Sequence, residues 1–220
     1  LILFLALLAA LAAVFLLIAK KGNILEINKG GAPEGSETVS SSPRPVSPIS
    51  GLACENADRR PLAVMLSGDA VTRPLSGLVE ADLVLNMPVI TGSITRLMAV
   101  YVCNEPKEIG SIRSARDDYI PLAKSFDAIY AHWGGSHFAL DLLNKGVMDN
   151  LDALISSSSV FYRKSGIAAP HNGFSSFSRL YAAAEKKGYR LQGKEIGYPH
   201  FEVGTEPKGD QAKTLSIGFP

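Results

Sequence analysis

The sequence is short of cysteine and of net charge, and each shortage limits what the chain can be. Its two cysteines, Cys54 and Cys103, can form one disulfide or none, so they leave the redox compartment open. Lys and Arg number 22 against 21 Asp and Glu, a formal net charge of +1. That balance argues against a nucleic-acid binder, whose phosphate contacts need a visibly basic domain. The best-defined catalytic motifs are missing too: there is no H-E-x-x-H, no Walker A loop, no G-x-S-x-G elbow and no C-x-x-C pair. His132 and His137 lie across a glycine turn, an unconvincing metal pair, and the serines Ser156 to Ser159 read as a loop rather than as nucleophiles. No cofactor and no metal is expected.

What is present is unevenly distributed. Leu1 to Ala19 carries no charge, Gly or Pro, and at about 1.5 Å per helical residue it matches the roughly 30 Å hydrocarbon core. Residues 1–19 are therefore read as a transmembrane anchor, with a cleaved signal as the alternative, since signal cores are usually shorter. No cysteine follows the run closely, which disfavours a lipoprotein-type attachment. Lys20 and Lys21 alone would favour a cytoplasmic C-terminal side, but basic residues before Leu1 are not known, and topology stays open on sequence. The first residue is not Met, so the numbering is expected to begin inside a longer chain.

Residues 20–58 read as a tether: Asn28 to Leu52 is rich in Gly, Ser and Pro and poor in large apolar residues, too little to offset the entropy of ordering. Residues 59–190 hold the folded domain. Short apolar runs at 61–66, 82–87, 96–102 and 128–133 suit strands, with weaker ones at 109–113 and 160–163. Helices are expected over 117–126, 136–145 and 176–187, the last two closed by Gly146 and Gly188. Strands cluster first and then alternate with helices, which predicts a mixed α/β (α+β) fold. Residues 191–220 read as a linker and, from Ala212 to Gly218, the first strand of a truncated second domain.

Three predicted helix starts carry polar residues. Ser114 and Asp117 have the S-x-x-D spacing of a capping box, flanked by Arg113 and Arg116. His132 ends a strand before the turn Gly134-Gly135 and a cap at Ser136. His171 and Asn172 precede a Gly and a Ser cap. Helix N-termini favour anions, and with Arg96 and Arg163 these residues form a candidate site for a carboxylate, phosphate or acidic sugar. Each cap alone is ordinary helix-start chemistry. Arg113 and Arg116 could also simply pair with Asp82, Asp117 or Asp118, and the glycines could serve only the turn.

Five blocks in order, RRPLAVMLSGD (59–69), RPLSGLVEADLV (73–84), SITRLMAVY (93–101), IGSIRSARDDYIPLAKSFDAIYAHWGGS (109–136) and FYRKSGIAAPHN (161–172), resemble the YerB-like family of bacterial envelope proteins of unknown function. The resemblance covers roughly residues 47–190. It implies a lipoprotein-like or membrane-anchored protein of mainly Gram-positive bacteria, displayed outside the membrane, with a second β-rich C-terminal domain. Two features depart from it: Asn86, with Ile90 or Thr91, stands where relatives tend to carry glutamates, and no lipobox cysteine is present.

The leading expectation is thus a non-enzymatic, single-pass, extracytoplasmic module. Its partners would be the membrane, through the N-terminal helix, and an anionic cell-wall ligand or envelope protein. The alternative is an envelope hydrolase or transferase using His132 or His171 as general base, oriented by Asp82 or Asp117. A purely structural partner of a membrane complex is a third reading.

Overall fold

The computed structural model describes residues 45–89, 94–195, 198–201, 204–206, 208–209, 214 and 216. The expected anchor at 1–19, and nearly all of the strand expected at 212–218, lie outside the described residues. Among the described residues no helix is long and apolar enough to cross a membrane.

The centre of the fold is β1 (Leu62–Ser67), whose six residues are all buried. A strand covered on both faces needs a continuous apolar run rather than alternation, and LAVMLS supplies it. On one side β1 pairs antiparallel with β3 (Thr95–Tyr101), which pairs antiparallel with β2 (Leu83–Pro88). On the other it runs parallel to β5 (Ile129–His132), which runs parallel to β6 (Asn150–Asp152). The sheet order is β2-β3-β1-β5-β6. A smaller antiparallel sheet has the order β4-β8-β7, from β4 (Ile109–Gly110), β7 (Tyr162–Arg163) and β8 (Gly173–Ser175).

Alternate side chains of the large sheet enter different cores. Ala63, Met65, Met98, Val100 and Tyr130 pack with helix α1 (Tyr119–Ser125) and helix α2 (His137–Asn144). Leu62, Val64, Leu66, Tyr101, Ile129 and Leu151 pack on the opposite face with helix α3 (Phe177–Lys186) and with Ile109 of the small sheet. The mixed α/β expectation is met by this three-layer arrangement of sheets and three helices. α2 begins where Ser136 accepts a hydrogen bond from the Ala139 N–H, and α3 where Ser176 accepts one from Arg179. Both stop before a glycine with positive φ, Gly146 at +71° and Gly188 at +74°, a conformation that costs glycine nothing.

Residues 45–58 depart from their reading as part of the tether. Ser47 is fully buried, Cys54 is bonded to Cys103, and the Asp82 carboxylate accepts hydrogen bonds from the Ser47 and Ser50 hydroxyls and from the Val102 and Cys103 N–H groups. Composition misleads here because the segment is held by long-range bonds to small polar residues, not by an apolar stripe of its own.

Candidate functional site

The parallel strands β1, β5 and β6 end on one edge of the sheet, and antiparallel β3 begins there, with Arg96 opposite Ser67. Ligands of open α/β sheets bind outside such carboxyl ends, where loops diverge. After β1 the chain turns through Gly68 to Asp69. The approach is close: a Cβ on Gly68 would clash with the Thr95 carbonyl oxygen.

Asp69 is the hub. Its Oδ2 accepts a hydrogen bond from the Ser67 hydroxyl at 2.6 Å. Three cationic or titratable groups face the same oxygen: Arg96 Nη1 at 3.8 Å, Arg113 Nη1 at 3.9 Å and His171 Nδ1 at 3.9 Å. Burial pushes this carboxyl up, but the Ser67 bond, Arg96, Arg113 and His171 together hold it below the usual range. Arg113 reaches the edge because its N–H donates to the Met65 carbonyl. Its Nη1 sits 3.0 Å from His171 Nδ1.

Arg96 is the most enclosed of the arginines, its side chain 6% exposed. Its Nη1 donates to the Thr95 carbonyl, while its Nε is buried with no partner. Burial lowers its pKa to about 10, and the positive charges of Arg113 and Arg116 act in the same direction, with Asp69 opposing them. Arg116 donates to the Ala115 carbonyl and makes no ion pair among the described residues. Two guanidiniums, Arg96 and Arg113, therefore share one carboxylate, and Arg116 adds positive charge beside Arg96.

Arg113 also opens onto a hollow of about 150 Å³, lined by Ile112, Arg113, Ser114, Trp133, Arg163 and Pro170. Arg163 lies 4.4 Å over the Trp133 ring and donates to Asn172 Oδ1 at 2.6 Å. Stacking of this kind is worth about 0.5–1 kcal/mol at an exposed site. Asn172 thus fixes Arg163 instead of facing a helix start.

The other candidates have different duties. His132 is fully buried; its Nδ1 lies 2.8 Å from the Gly134 carbonyl and its Nε2 faces the Asn150 side-chain amide at 3.2 Å. Enclosed in this way it is a structural residue, without access to a substrate as ligand or general base. Gly134 has φ +63° and donates to Asp152 Oδ1, and Gly135 bridges to Ala115, so both glycines shape the turn. Ser136 is occupied as the α2 cap and as donor to Asp117 Oδ1 at 3.2 Å. Ser114 caps nothing: α1 starts at Tyr119 after Asp118, which makes no side-chain cap, and the first N–H groups go to the Arg116 and Asp117 carbonyls. Asp82 and Asp117, expected to orient a histidine, bond instead to residues 47–50 and 102–103 and to Ser136 respectively. Asn86 borders an apolar cleft with Arg73, Leu75 and Leu97. Among the described residues no cluster of His, Cys, Asp and Glu could hold a metal.

Sequence reasoning missed Asp69, the residue around which the site is built. One signal could have found it: a lone acid just past a fully apolar strand, the place where α/β sheets present ligand-facing loops.

Residues 49–190 match the N-terminal domain of DUF3048, a protein family of unknown function. The chain is 37% identical over 147 residues to "Putative lipoprotein YerB" of Bacillus subtilis (strain 168), a stretch that covers 66% of this chain and 44% of that protein. The crystal structure of the YerB protein from Bacillus subtilis superposes with a TM-score of 0.63 at 35% identity, covering 68% of this chain and 52% of that one. The chain thus spans about half the length of the relatives it matches, and through residues 49–190 it belongs to the DUF3048 family.

Proposed function

We propose that this domain is a non-enzymatic binding module that takes an anion at the Arg96, Arg113 and His171 cluster around Asp69. The observation that carries this reading is a mismatch of charge: the Arg96 and Arg113 guanidiniums face one carboxylate, Asp69, and Arg116 adds positive charge beside Arg96. Buried charge is costly unless matched, and an anionic ligand at this edge would match it. Arginine forks suit carboxylate and phosphate alike. Arg163, stacked on Trp133 beside the same hollow, adds a further cation within reach of a larger ligand.

The proposed place is the outer side of a cell membrane, with residues 1–19 as the anchor. Two observations support it. The relative's name is that of a lipoprotein, and Cys54 and Cys103 are joined in a disulfide, a bond that persists in oxidising compartments. The hydrolase reading is weaker, because His132 is enclosed and the Nδ1 of His171 is engaged by Arg113.

Calorimetric titration of the detergent-solubilised full chain with inorganic phosphate tests the proposal. Saturable binding that the Arg113→Ala variant loses by tenfold or more is expected, since hydrogen bonds to charged groups contribute about 1.5–3 kcal/mol. Equal binding by wild type and variant would overturn it.

A further inference from the structure

Asp69 is as informative as the arginines that surround it. If its only task were to neutralise them, they should close on it at the 2.7–2.9 Å of charge-assisted bonds. Arg96 and Arg113 stop at 3.8 and 3.9 Å instead. Oδ2 is taken by the Ser67 hydroxyl, and Oδ1 accepts no hydrogen bond among the described residues. Close by, the Ser111 hydroxyl is buried without a partner, and its own carbonyl accepts the Ser67 N–H at 3.0 Å. The edge therefore offers unused acceptor capacity on Asp69 beside guanidiniums that do not close on it.

These two kinds of vacancy select a ligand. A bare anion meets the guanidiniums but is repelled by Asp69, whose carboxyl stays ionised at neutral pH. A neutral polyol satisfies Asp69 but leaves the arginines unmatched. A molecule that carries an anionic group and, one or two atoms away, a hydroxyl satisfies both. The adjoining hollow is mostly polar in its exposed lining, with Arg113, Ser114 and Arg163 among its residues, which suits a ligand that carries hydroxyls.

Resting on the anion-binding reading above, we infer that the site takes a hydroxylated anion, with the anionic group on Arg96 and Arg113 and a neighbouring hydroxyl donating to Asp69. Two sources share that chemistry, a polyol phosphate and a sugar acid.

The test compares matched pairs of probes on the detergent-solubilised full chain at neutral pH: glycerol 3-phosphate against methyl phosphate, and glucuronate against cyclohexanecarboxylate. At least one hydroxylated member is expected to bind roughly tenfold more tightly than its plain counterpart, the effect of one hydrogen bond to a charged acceptor. The pair that shows it identifies the source. Asp69→Ala is expected to erase that difference. If wild type binds both members of each pair equally, the inference is overturned while anion binding stands. If no probe binds, the anion site itself fails, and the inference with it. Because the wild-type comparison needs no variant, a misfolded Asp69→Ala protein does not decide the matter.

Discussion

Reducing or removing the Cys54–Cys103 disulfide should cost this domain a large part of its stability. The two cysteines are 49 residues apart in sequence. In the chain-entropy treatment, closing a loop of that length removes about 14 cal/mol/K from the unfolded ensemble, or about 4 kcal/mol at 25 °C. Relief of that constraint acts on a segment that has few other anchors. Residues 45–58 hold to the sheet mainly through Ser47, Ser50 and the Asp82 carboxylate, so the freed segment also gains mobility in the native state. The assay is urea unfolding of the full chain with and without reductant, and of a Cys54→Ser/Cys103→Ser variant. Trp133 is the only tryptophan and is half-buried, which makes its fluorescence a clean probe. With an m-value of about 2 kcal/mol/M, the midpoint should fall by about 2 M in both cases. Coincident midpoints, or rapid labelling of both thiols in the unreduced native chain, would refute the reasoning.

Other consequences are more local. Glu108 is held below its usual range chiefly by the Lys164 hydrogen bond, with burial opposing and Ser76 and Tyr162 assisting. Because its pKa is depressed on folding, its stabilisation is complete above the unfolded value of about 4.5 and is lost as pH falls through the folded value. Glu108→Gln should therefore be less stable than wild type at neutral pH and converge with it in acid, as followed by thermal melts across pH. Ser136→Ala removes the α2 cap and a bond to Asp117, and should cost about 1 kcal/mol in urea unfolding. His132→Ala should destabilise by about 3 kcal/mol, because it opens a cavity and removes the contacts to the Gly134 carbonyl and the Asn150 side chain. Its phosphate affinity at a temperature where it stays folded should match wild type, whereas a loss tenfold or greater would return His132 to the site.

The elements legible in the sequence are those whose signal is local. β1 and β3 are apolar runs, and α2 and α3 carry both a serine cap and a closing glycine, so the structure places all four within a residue or two of expectation. β6 was invisible because its three residues, Asn150, Leu151 and Asp152, are mostly polar: Asn150 and Asp152 serve the His132 turn rather than an apolar core. β8 hides for a related reason. Gly173 packs against the Trp133 ring, where a Cβ would come within 2.5 Å, and no periodicity announces a residue chosen for lack of a side chain. At the site, Arg113 and His171 were legible as polar residues at loop ends. Their common partner Asp69 was not, since residues 44 and 102 positions away in sequence meet it only through the sheet.

An anion held by the arginines at the carboxyl edge of the sheet is what the proposed function requires. This requirement is tested most directly by following arginine Nε–H resonances in NMR spectra of the full chain, in detergent micelles, during titration with inorganic phosphate. The Arg96 and Arg113 signals should move together along one saturating curve. Stationary Arg96 and Arg113 signals, with shifts confined to exposed arginines such as Arg190, would contradict the account.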